Sequence, residues 1–132
     1  MSPDDSVAAA AERLITAFGE GRVGDYFACF AVDATFVFYT TAERLESRDA
    51  YRALWRRWES EDGFRVVSCD SSNPLITPLG DDAAVFVHDV ATTVATNAGE
   101  ESLSERETIV FAHRDGTWLA VHEHLSPAAK PT

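Results

Sequence analysis

The order helix, helix, strand, helix and then a run of strands predicts an α+β domain, with three helices on the concave face of a cone-shaped, curved antiparallel sheet. Three observations carry the prediction. Apolar residues at helical spacing mark three segments before Gly63. Long runs with a period of two follow. From Ser104 to Ser126 two stretches rich in β-branched and aromatic residues flank Arg114-Asp115-Gly116-Thr117, and an Asp-Gly step in that setting is the strongest short-range hairpin signal.

The first helix starts at once, with Ser2 as cap, Pro3 in the first turn and Asp4 and Asp5 near the positive end of the dipole. Val7, Ala11, Leu14, Ile15 and Phe18 form its buried face, and Gly19-Glu20-Gly21 ends it. A second helix is expected over Val23 to Phe30. Asp33-Ala34 reads as a turn into a strand from Thr35 to Thr40. Ser47 caps a third helix from Arg48 to Ser60, with Tyr51, Leu54, Trp55 and Trp58 inward and Gly63 as its stop.

Phe64 to Cys69 reads as a strand, broken at Ser71-Ser72-Asn73-Pro74 before a short extended stretch to Leu79. A long strand from Ala83 to Ala95 puts Phe86, His88, Val90, Thr92 and Val94 on one face, with Asp89 on the other. Asn97-Ala98-Gly99 turns the chain, and the acidic tip at Gly99 to Glu101 is solvated. In the last strand Leu119, Val121, Glu123 and Leu125 alternate with Trp118, Ala120, His122 and His124. A frayed tail is expected from about Pro127, so residues 1–132 form one domain.

With 132 residues and 45% hydrophobic composition, the chain is long enough for one real core. Its 22 acidic residues against 11 basic give a net charge of -11, which repels phosphates and anionic lipid. Nucleic acid and membrane partners are therefore not expected. Cys29 and Cys69 read as buried or idle thiols, which suits a cytoplasmic protein, and neither a signal peptide nor an apolar membrane span is seen.

Asp33-Ala34-Thr35 after a helical hairpin, Asn73-Pro74 before the long strand, and Asp115-Gly116-Thr117-Trp118 leading to Val121-His122-Glu123-His124-Leu125-Ser126 together carry a resemblance. The chain resembles the nuclear transport factor 2-like superfamily, cystatin-like in fold, and within it the SnoaL-like branch. It is also similar to the association domain of calcium/calmodulin-dependent protein kinase II. The likeness runs from about Val7 to Ser126. It implies a homodimer through the outer sheet face and a pocket at the open end of the cone. The ketosteroid isomerase branch carries a base, a tyrosine and a protonated acid where this chain has Phe38, Leu14 and Thr108. The pocket arginines of the kinase domain fall near Val90, Ile109 and Leu125. None of these groups is retained, which implies a more apolar pocket than in either relative.

Glu123 shares parity with the pocket-facing residues of the last strand, and a desolvated carboxylate there exchanges protons near neutral pH. The competing reading is an ion pair with Arg106. His88 is the second acid/base candidate, or else a histidine filling the wide end of the cone. Tyr39, Trp55, Trp58, Val90, Val121 and Leu125 are candidate pocket walls, though aromatics at helical spacing also serve as plain core. The hydroxyls of Tyr26 and Tyr39 suit a substrate carbonyl or a buried hydrogen bond. His122 and His124 have a metal-pair spacing, but with no third ligand converging they are assigned, with Trp118, to the dimer face, and no metal or cofactor is expected. The expected function is binding of a small apolar or aromatic molecule, with cofactor-free isomerase, cyclase or hydratase-like chemistry as the sharper version. The alternative is a non-enzymatic, homo-oligomeric assembly module.

Overall fold

The computed structural model of the chain describes residues 3–128. The expected cap at Ser2 and the tail from Ala129 to Thr132 lie outside the described residues. Helix α1 spans Pro3–Gly19, α2 Val23–Ala28 and α3 Arg48–Asp62. The strands are β1 (Phe30–Phe38), β2 (Arg65–Pro78), β3 (Ala83–Thr96), β4 (Gly99–Arg114) and β5 (Thr117–Pro127). The end of α3 is set by chemistry at both termini. The Ser47 hydroxyl accepts from the Ala50 N–H, and Gly63 takes the left-handed conformation (φ 63°) from which its N–H bonds the Glu59 carbonyl.

The sheet order is β1-β5-β4-β3-β2, antiparallel from β2 through β5 and parallel where β1 meets β5. Several expected boundaries shift for reasons of pairing. Helix α2 stops at Ala28 because Phe30 already pairs with Ala120, so Asp33-Ala34 lies inside a strand and not in a turn. The break in β2 is a register irregularity between Ser72 and Leu75, with Asn73 at φ 55°, inside one continuous strand. Pro74 is tolerated because β2 is an edge strand, where a missing N–H costs no ladder bond. The Gly99 to Glu101 tip is exposed but paired with Thr96 to Val94. Strand β5 reaches Pro127, and the Ala128 N–H donates to the Ser104 carbonyl, so the chain is still held where fraying was expected.

A bulge decides what β5 presents. Val110 pairs with His122 but Phe111 with Ala120, leaving Val121 as the extra residue. Alternation therefore changes phase. Glu123 and Leu125 point into the cone beyond the bulge, whereas before it Ala120 and Trp118 face the helices.

The core lies between helices and sheet and is mostly aromatic. Tyr26, Phe27, Phe30, Phe36, Tyr51 and Trp55 interlock with ring centroids 4.6–6.3 Å apart, mostly edge to face or tilted. Burying one such ring contributes about 1.5–3 kcal/mol, so the cluster ties α2 and α3 to β1.

Candidate functional site

Inward-facing residues of β4 read Glu101, Leu103, Glu105, Glu107, Ile109, Phe111, an apolar strand face that turns acidic toward the open end of the cone. With Glu123 and Leu125 of β5, Val90 and Thr92 of β3, Tyr51 and Trp58 of α3, and Leu14, Ile15 and Phe18 of α1, this face encloses a cavity of about 310 Å³. That is the low end of the range for ligand pockets, about 300–1,000 Å³.

Register makes Glu107 and Glu123 diagonal neighbours, since Ile109 is opposite Glu123 and Glu107 opposite Leu125. Both line the cavity, and their carboxyls are hydrogen-bonded to each other. Two carboxylates so placed cannot both ionise. Burial, the Glu107 charge and their hydrogen bond hold the Glu123 carboxyl well above the ordinary range. Burial also pushes Glu107 up, but hydrogen bonds from Glu123 and His88 outweigh it and leave its carboxyl below that range. The pair thus shares one proton and one charge, with the proton favouring Glu123 and the charge Glu107.

A hydrogen-bonded chain extends from the pair in both directions. His88 Nε2 lies 2.7 Å from Glu107 Oε1, and His88 Nδ1 lies 2.6 Å from the hydroxyl of exposed Ser71. With Glu107 ionised, Nε2 carries the proton donated to it. On the other side the Tyr26 hydroxyl donates to Glu123 Oε1 at 3.4 Å and sits 2.9 Å from the Tyr51 hydroxyl. Burial keeps both phenols well above their ordinary pKa. Nearer the mouth, half-exposed Tyr39 donates to Glu105 Oε2 at 2.6 Å.

The candidates named from sequence separate into groups. Glu123, Val90, Leu125 and Trp58 line the cavity. His88 is 1% exposed and stands behind Glu107, with no part in the wall. Tyr39, Trp55 and Val121 are not among its walls: Tyr39 is 44% exposed, Trp55 is core, and Val121 is the bulge residue. Arg106 pairs with Asp89 at 3.4 Å and leaves Glu123 to Glu107. His122 and His124 stay on the convex face, where His122 Nδ1 meets the Thr35 hydroxyl at 2.8 Å. Trp118 does not join them. The phase change turns it toward α1, and it stacks on His113.

Among the described residues no three His, Cys, Asp or Glu side chains form a metal-binding group, and no helix is long and apolar enough to cross a membrane. Both cysteines are free, and burial pushes the cavity-lining Cys69 thiol up to about 11. Glu105 and Glu107 were missed in the sequence, although their parity with Ile109 and Phe111 was a usable signal.

The model of the SnoaL-like domain matches residues 7–130. The chain belongs to the SnoaL-like domain family. No curated protein matches it. Among solved structures, a nuclear transport factor 2-like protein of unknown function in nutrient uptake from Rhodospirillum rubrum is 21% identical, with a TM-score of 0.79 over 93% of this chain and 98% of its own. A nuclear transport factor 2-like protein from Cytophaga hutchinsonii is 15% identical, with a TM-score of 0.81 over 97% and 100%. The association domain of the C. elegans calcium/calmodulin-dependent protein kinase II is 20% identical, with a TM-score of 0.72 over 93% and 94%. These likenesses place the SnoaL-like domain in the nuclear transport factor 2-like fold. At such identities they carry the fold alone.

Proposed function

We propose that the cavity of this SnoaL-like domain binds a small, largely apolar molecule and moves a proton on it without a cofactor. The observation that supports this is the buried Glu107–Glu123 pair, one carboxyl protonated and one ionised on the same cavity wall. Glu107 takes a proton from one carbon of the bound molecule, and Glu123 delivers its own to another atom. The net result is isomerisation, or closure of a ring where the carbanion attacks within the molecule. Afterwards Glu107 is protonated and Glu123 ionised, and transfer across their hydrogen bond restores the starting state. His88, anchored by Ser71, steadies the charge on Glu107 and so acts as a positioning residue.

The test is deuterium uptake from heavy water into a panel of small enolisable ketones, followed by proton NMR. Wild-type protein is expected to accelerate exchange, and Glu123→Gln and Glu107→Gln to lose it by about 100-fold or more with the fold retained. Unchanged exchange in Glu123→Gln contradicts the role.

A second reading rests on the convex face. The cross-strand rows Val85-Val110-His122-Thr35 and Val87-Thr108-His124-Val37 form a partly apolar band that extends to exposed Leu75. Pairing of two copies through this band makes the domain a homodimer, and without turnover it would serve as an assembly module, the role that the kinase association domain carries in its name.

A further inference from the structure

We propose that the ligand of this cavity is an organic cation, a protonated amine on a small apolar or aromatic body. The inference rests on the cavity being a ligand site and adds the charge of its occupant. Every formally charged side chain in the wall is acidic, Asp62, Glu101, Glu105, Glu107 and Glu123, with no lysine, arginine or histidine among them. Glu107 and Glu123 satisfy each other. Glu105 does not have that help: it is 5% exposed, and it accepts its hydrogen bond from the neutral Tyr39 hydroxyl. Among the described residues no cationic side chain lies in salt-bridge range of Glu101 or Glu105.

Buried charges are ordinarily paired, because an unpaired one gives up its hydration for nothing. Burial raises the Glu105 carboxyl above its ordinary range, and a cation entering the cavity offsets that cost, a counter-charge the wall itself does not supply. Glu105 lies opposite Val90 and two residues from Leu103 on the cavity face of β4, so an ammonium group held by its carboxylate leaves its apolar body against Leu103, Val90 and Leu125, with Glu101 adding negative charge at the rim. The faces of Phe38 and Trp58 add an electrostatic preference for the same sign of charge. An anionic ligand meets the opposite field, strengthened by the net charge of -11.

The experiment compares three probes with one apolar body: 2-phenylethylammonium, 2-phenylethanol and 3-phenylpropionate. Binding to the full chain is followed by calorimetry and by fluorescence of cavity-lining Trp58. The ammonium is expected to bind about ten-fold or more tightly than the alcohol, with an affinity that falls as salt rises, and the propionate not to bind. Glu105→Gln should bring the ammonium to the affinity of the alcohol while leaving the alcohol unchanged. Glu101→Gln, at the exposed rim, gives the same readout should Glu105→Gln fail to fold. Equal or tighter binding of the alcohol overturns the charge inference and leaves the ligand cavity standing. No binding of any probe overturns both.

Discussion

Glu123 draws its properties from three neighbours, Glu107, Tyr26 and the apolar wall, and none of them is adjacent in sequence. Parity with Leu125 was enough to aim it into the cone. The same parity placed Val121 and Trp118 wrongly, because a one-residue bulge leaves no mark in composition. The partner Glu107 stayed hidden because its strand was read from the hairpin turn and not from its own alternation. A pH signature follows from the pair. Glu123 has a folded-state pKa raised above the ordinary 4.5, so the folded state keeps a proton that the unfolded chain has lost. Its contribution to stability is complete below that ordinary value and is lost as pH climbs toward the folded one. Glu107, lowered, has the opposite sign, and its contribution is lost as pH falls through its folded value. Glu123→Gln keeps a donor to Glu107 but cannot ionise. Its melting temperature is therefore expected to gain on the wild type steadily between about pH 5 and pH 8 in thermal scans. A gap that stays constant across that range means that Glu123 titrates as an ordinary carboxyl.

At the scale of elements, local chemistry was legible wherever a cap or a tight turn fixed it. Helix α3 runs between Ser47 and Gly63 as its sequence implies, and Asp115-Gly116, with φ 51° and 79°, makes the two-residue hairpin turn. Added bulk at Gly63 would be penalised by its positive φ, and the new Cβ would also require the Asn97 side chain to move aside. What sequence could not show was pairing between distant strands. The parallel contact of β1 with β5 extends β1 back to Phe30, and edge position lets β2 pass through Pro74. The convex face is a product of the same pairing, since the Val85 and Val87 rows exist only in this register. Val110 is central in that band, so Val110→Arg is expected to convert a dimer into a monomer in light scattering after size-exclusion chromatography, with the cavity intact. A wild-type monomer, or a variant that remains a dimer, removes the convex face as the interface.

For the whole molecule, the cone explains why an acid pair can persist buried in the cavity wall. The aromatic core ties α2 and α3 to β1 and brings Tyr26 and Tyr51 over the two glutamates. Edge strand β2 brings Ser71 to His88 from the solvent side. Cavity, pair and supporting chain thus arise from one arrangement of sheet and helices, and the SnoaL-like family supplies that arrangement without fixing its chemistry. The most direct test is a carbon-13 NMR titration of protein labelled at the glutamate side-chain carboxyls. One carboxyl resonance is expected to remain protonated at neutral pH and to be absent from Glu123→Gln. If instead every glutamate titrates near the ordinary 4.5, the two carboxyls do not share a proton, and the acid/base reading of this cavity is wrong.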